Sequence, residues 1–155
     1  MCFNISENKR HINVKIARRN IPCYKLLEKD GRHYRSPHYE ELYFDNYDPH
    51  YPKNKVVEVR KKVKNFQICS WGTERSITQG LHSYSIPSAA QSDLLLANRR
   101  DLIYYSNSRR LFKAYIPKGT KYYYNPVEKE YVSLELVVVK TSKADVCSKS
   151  DIWKH

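Results

Sequence analysis

The segment Tyr131–Lys140 reads Tyr-Val-Ser-Leu-Glu-Leu-Val-Val-Val-Lys, and it constrains the fold more than any other part of the chain. In a strand, successive side chains alternate between faces. Val132, Leu134, Leu136 and Val138 then share one face, and Ser133, Glu135, Val137 and Val139 share the other. The charge of Glu135 is flanked by apolar neighbours, which places the segment inside a sheet as the longest strand of the chain.

Other strand-length pieces surround it. Ile12–Ala17 and Cys23–Glu28 are the first candidates, and Asp30-Gly31 is a hairpin turn signal leading into His33–Arg35. Lys55–Val63 alternates, with Val57, Val59 and Val63 on one face and Lys, Arg and Glu mostly on the other. Phe66–Trp71 is apolar and strand-sized, and Thr73–Ser76 reads as a loop. Leu111–Ile116 and Lys121–Tyr124 flank the turn Pro117-Lys118-Gly119-Thr120, where Gly119 is free to take positive φ, and the second is expected to return as the partner strand of the first. Asn125–Glu128 turns the chain again.

One window breaks the pattern. Within Ser83–Tyr105, Ser88 and Gln91 have capping-box spacing, and Pro87 stands where a helix start tolerates it. Leu94, Leu95, Ala97 and Leu102 supply an apolar side. The expected class is therefore α+β: a single domain over residues 1–155, mainly antiparallel sheet with one principal helix at about 87–104. A length of 155 residues suits one domain with a real core. Residues 36–54, rich in Tyr, Asp and Pro and holding Glu40, Glu41, Asp45 and Asp48, read as an irregular acidic connection. Residues 142–155 read as a polar tail, which Trp153 would dock.

No apolar run approaches the roughly 20 residues of a membrane span. Met1–Arg10 is polar without an apolar core, so no secretory signal is expected and the cytoplasm is the expected compartment. Cys2, Cys23, Cys69 and Cys147 form no CxxC pattern, and in a reducing compartment they are expected to be free thiols. Cys2, after removal of Met1, would place a thiol beside an α-amine, as N-terminal nucleophiles do. The same residue also reads as an ordinary terminal thiol. His11, His33, His38, His50, His82 and His155 lack metal-ligand spacing, and no metal or cofactor is expected.

Charge gives the chief functional clue. Lys and Arg total 28 against 16 acidic residues, a net charge of +12. Such a bias speaks of partners, with an anionic one expected: nucleic acid, nucleoprotein or an acidic protein. Four clusters stand out: Arg18-Arg19; Arg60-Lys61-Lys62 with Lys64; Arg99-Arg100; and Arg109-Arg110 with Lys113. Arginine forks match phosphate oxygens, and Tyr104, Tyr105, Tyr115 and Tyr122–Tyr124 lie near them in sequence. Cations interleaved with rings suit backbone contact plus base stacking, while no sequence-reading motif is present. The 14 tyrosines by themselves are also ordinary strand residues.

A second constellation is Gly80-Leu81-His82-Ser83-Tyr84-Ser85, a strand end running into the capped window. Its order resembles the ADP-ribosyltransferase-like fold. Cys23-Tyr24-Lys25-Leu26-Leu27 resembles the first core strand of that fold. Gly80–Ala90 resembles the middle strand with its serine motif, and Leu111–Thr120 with Tyr131–Val139 resembles the closing strands. The resemblance implies a nucleotide cleft formed by Tyr24, His82, Tyr84, Ser85 and Glu135, with Glu135 at the transferase glutamate position. The chain departs from the family in having Tyr24 and Lys25 where a residue would grip NAD, no Ser-Thr-Ser triplet, and Ser133 two positions before Glu135. It is also similar to small phage and Bacteroidetes-type proteins that begin Met-Cys. With no complete catalytic set, the expected function is non-enzymatic binding of nucleic acid or a host nucleoprotein, of the kind a phage or mobile element uses to inhibit host defence. The alternative is a transferase-like enzyme or nucleotide sponge. A protein-only acidic partner is the third reading.

Overall fold

A computed structural model describes residues 3–5, 12–30, 33–36, 42–45, 57–71, 74–90 and 109–140. These form thirteen strands: β1 (Phe3–Asn4), β2 (Lys15–Ile16), β3 (Ile21–Asp30), β4 (His33–Arg35), β5 (Leu42–Asp45), β6 (Val57–Lys62), β7 (Gln67–Trp71), β8 (Glu74–Gln79), β9 (Leu81–Tyr84), β10 (Arg109–Ile116), β11 (Lys121–Asn125), β12 (Glu130–Ser133) and β13 (Glu135–Lys140). Every pairing among them is antiparallel.

The α+β expectation is overturned: the fold is β-rich. The helical piece among the described residues is a short 3-10 turn, Pro87–Ala90, where Ala89 N donates to Ile86 O at 3.2 Å. Residues 91–104 of the expected helix lie outside the described residues. The reason is visible in the chain. Segments assigned to loops satisfy their backbone groups by strand pairing instead. Glu74–Gln79, which takes in Glu74–Ser76 of the expected loop Thr73–Ser76, pairs with both β1 and β7. Leu42–Asp45, inside the expected irregular connection, pairs with β4.

The strands make two sheets. The small one runs β1-β8-β7; the large one runs β2-β11-β12-β9-β3-β10-β13-β6, with β4 and β5 extending from β3. The expected long strand over Tyr131–Lys140 is two strands that bend at Leu134. Although β12 and β13 are joined by that one residue, β9, β3 and β10 lie between them in the sheet order. Leu134 accepts from Val63 N at 2.8 Å and donates to Lys121 O at 3.1 Å, so it ties β6 and β11 to the same point. The large sheet therefore curls round on itself like a barrel.

Alternation fills the inside of the curl. Cys23 and Leu27 of β3, Phe112, Ala114 and Ile116 of β10, and Leu136 and Val138 of β13 form the main core with Ala17, Tyr34 and Leu81. A second cluster, Ile5, Ile77, Tyr123 and Val132, packs the small sheet onto the outer face of β11 and β12, with the Phe66 and Tyr123 rings edge to face at 5.0 Å. The third, Leu26, Ala90 and Leu111 with Tyr24 and Tyr84, lies under the 3-10 turn. Gly119 takes φ 88° in the turn between β10 and β11, as that turn requires, but the two strands do not pair as expected, since β10 lies between β3 and β13 and β11 between β2 and β12.

Candidate nucleic-acid interface

The short edge strand β2 leads into a loop that is fastened twice. Ala17 is buried; its N–H donates to Thr120 O at 2.9 Å, and its carbonyl accepts from Gly119 N at 2.7 Å. On the far side, Lys118 N donates to Asn20 Oδ1 at 2.9 Å. Between these two clamps the chain bends, and Arg18 and Arg19 are held outward on solvent.

Beside this loop opens a cleft of about 900 Å³, lined by Val14, Lys15, Ile16, Arg18, Arg19, Ile21, Pro22, Tyr122 and Tyr131. Its layers follow from strand register. Lys15 lies opposite Tyr122 on β2 and β11, so the ammonium and the ring share a face. Tyr122 and Tyr131 form an aromatic corner, with centroids 5.9 Å apart and planes at 69°. Tyr124 supports Tyr131 from behind at 4.7 Å. Burial, reinforced by Tyr124, Cys23 and Tyr122, pushes the Tyr131 hydroxyl up to about 12, so it stays neutral through the physiological range. Val14 and Ile16 form an exposed apolar lip, 47% and 60% accessible.

The electrostatics are one-signed. Lys15, Arg18 and Arg19 line the cleft, and Lys118 and Lys121 stand exposed on the adjoining turn and the start of β11. Residues 12–24 and 116–124 contain no Asp or Glu. Sequence reasoning picked out Arg18 and Arg19 but not Lys15, Lys118 or Lys121, because the β2–β11 pairing that gathers them joins segments about a hundred residues apart. A cation in each of two strand-like segments was the available signal, and nothing local said that the segments pair.

The remaining basic residues divide. Arg60 and Lys62 project from edge strand β6, and Lys113 projects from β10. Register sets Arg60 opposite Val137, and Val137 opposite Tyr115, so Arg60, Lys62, Lys113 and Tyr115 share the outer face. This face is electrically mixed. Arg60 pairs with Glu135, whose other neighbour is Lys62 Nζ at 3.8 Å, and the Tyr115 hydroxyl donates to Glu58 Oε2 at 3.3 Å. Lys61 has the opposite parity and is half-buried, and Lys64 is exposed just past the strand. Arg109 and Arg110 open β10 opposite Glu28 and Leu27. Arg99 and Arg100 lie outside the described residues, as does Cys2.

The residues that the transferase resemblance grouped are partly assembled. Tyr24 and Tyr84 are direct cross-strand partners, and His82 lies two residues before Tyr84 on the same face. Ser85 is a clasp: its hydroxyl and its N–H both donate to Lys129 O, at 3.1 and 2.8 Å. Glu135 directs its carboxylate to Arg60 and Lys62. The carboxylate that meets His82 is Glu130, Oε1 to Nδ1 at 3.0 Å, and both residues are buried. Sequence reasoning missed Glu130, which sits just after a turn and faces the histidine only through the β9–β12 ladder. Lys25, where the family would grip NAD, faces the core side with Cys23 and Leu27, and its ammonium donates to His82 O at 2.8 Å.

Burial pushes the Cys23 thiol up to about 12, opposed weakly by Ser83 and Lys25. Cys23 and Cys69 are both free thiols. Among the described residues there is no cluster of metal-ligating side chains and no helix long and apolar enough to cross a membrane.

Comparison of the chain with protein-family models, with characterised proteins and with solved structures finds no match.

Proposed function

We propose that the chain is a nucleic-acid-binding protein whose activity is binding itself, with the sugar–phosphate backbone held along Lys15, Arg18 and Arg19. The observation that carries this reading is the exposed, acid-free basic rim over the cleft. Phosphate contacts by arginine and lysine supply most non-specific affinity through counterion release. Two arginines clamped at one loop offer pre-organised forks to phosphate oxygens. The mixed face around Glu135 is less suited, since Glu135 already pairs with Arg60 and Lys62 and Glu58 takes the Tyr115 hydroxyl. In the setting that the Met-Cys resemblance implies, the target is nucleic acid or nucleoprotein of a host, and binding there would block host defence.

The test is fluorescence anisotropy with labelled RNA and DNA at low and physiological salt. Binding should weaken steeply with salt, and Arg18→Ala with Arg19→Ala should flatten the slope by about 0.7–0.9 per lost contact. Absence of binding at low salt would remove the proposal. A complex with an acidic protein that survives nuclease treatment would replace it by the protein-only reading.

A further inference from the structure

We propose that the cleft admits an unpaired nucleotide, so that the protein selects single strands over duplex. This deepens the nucleic-acid reading and rests on it. Three observations converge. Tyr122 and Tyr131 stand at 69°, so a flat group laid on one ring meets the edge of the other. That edge-to-face corner is a favourable seat for an aromatic base. Val14 and Ile16 add exposed apolar surface to the cleft lining at the sheet edge, where a base could shed water.

The cations stand where the backbone would run. Lys15 is beside Tyr122 in register, and Arg18 and Arg19 project from the clamped loop at the mouth. A base seated in the corner therefore leaves its flanking phosphates at the basic rim. A duplex keeps its bases stacked inward and presents only phosphates, so it would use the rim and leave the aromatic corner empty. The corner itself is made of the Tyr122 and Tyr131 rings, and stacking tolerates every base. The expected preference is for single strands of either sugar with little sequence dependence.

The experiment compares labelled single-stranded RNA, single-stranded DNA and blunt duplex of equal phosphate number against the full chain. Single strands should bind at least tenfold more tightly than duplex. Tyr122→Leu should lower single-strand affinity about tenfold while leaving duplex affinity and the salt slope unchanged, and Tyr122→Phe should retain both. A 2-aminopurine within the strand should be quenched on binding to the native chain and to Tyr122→Phe, but not to Tyr122→Leu. Thermal melting of each variant confirms that it is folded; should Tyr122→Leu not fold, Val14→Ser and the 2-aminopurine signal in the native chain decide. Equal affinity for duplex, or unquenched 2-aminopurine, overturns the inference and leaves the charge-based reading standing. If Arg18→Ala with Arg19→Ala also leaves binding unchanged, both readings fall.

Discussion

Cys23 illustrates how position in the pleat decides what a side chain does. It faces inward between Leu27 and the β10 residues, and burial pushes its thiol from 9.0 up to about 12. A thiol that stays protonated is a poor nucleophile. Alkylation of the native protein at neutral pH, mapped by peptide, should therefore modify Cys69 well before Cys23, and denaturant should abolish the difference. The same shift fixes an alkaline limit on stability. Because the folded pKa is the higher one, the unfolded chain releases the proton first. The stabilising contribution is complete below pH 9 and declines as pH rises toward about 12, by at most about 1.4 kcal/mol per pH unit. Tyr131 acts in the same direction, its folded pKa being raised from 10.0 to about 12. Alkaline denaturation curves should show a Cys23→Ala variant losing less stability than the parent between these limits. Asn125 is a polar counterpart. It is fully buried, and its Oδ1 accepts from Val127 N at 3.0 Å and Glu128 N at 3.2 Å. Asn125→Ala strands those amides and should cost about 1–3 kcal/mol in urea unfolding, whereas Asn125→Asp keeps the acceptor.

Elements in this chain were legible where a local rule sufficed. Period-two alternation gave β6, and the Pro117–Thr120 turn gave its positive-φ glycine, but Lys121–Tyr124 does not return beside Leu111–Ile116: β10 pairs with β3 and β13, and β11 with β2 and β12. Legibility failed where the decisive partner is distant. Tyr131–Lys140 is apolar on both parities, so nothing in it marks Leu134 as a bend; the bend exists because β12 pairs with β9 while β13 pairs with β10 and β6. The site failed in the same way: two of its arginines are adjacent in sequence, but Lys15, Tyr122 and Tyr131 reach it through ladders. Gly80 sits at another such crossing, between β8 of the small sheet and β9 of the large one. A β-carbon there would lie 2.5 Å from Val132 Cγ2 and 3.3 Å from the Phe66 ring. Val132 is fully buried and cannot yield without disturbing the contact between sheets. Gly80→Ala should thus cost about 1–3 kcal/mol, read as a lowered urea midpoint.

At the scale of the molecule, net charge and local site make different predictions, and the fold allows them to be separated. A charge of +12 draws any polyanion by its long-range field, whichever residues carry it. Arg18→Ala with Arg19→Ala and Arg60→Ala with Lys62→Ala each remove two positive charges, so both pairs weaken that field alike. Only the first pair lines the cleft; the second is engaged with Glu135 on the outer face of β6 and β13. If the rim is the binding surface, the Arg18 and Arg19 double variant should lose about tenfold or more in affinity and release the ligand faster. The Arg60 and Lys62 double variant should lose little beyond a slower, salt-sensitive association. Stopped-flow association at two salt concentrations distinguishes the outcomes, and equal losses would mean that the field rather than the cleft does the binding. The β6 variant carries a second expectation. Arg60 and Lys62 charge the face of a terminal strand, and charged edges discourage pairing between molecules. Replacing both by Val extends the apolar character of an edge that already holds Val57 and Val59, and size-exclusion chromatography should show larger species appearing as concentration rises.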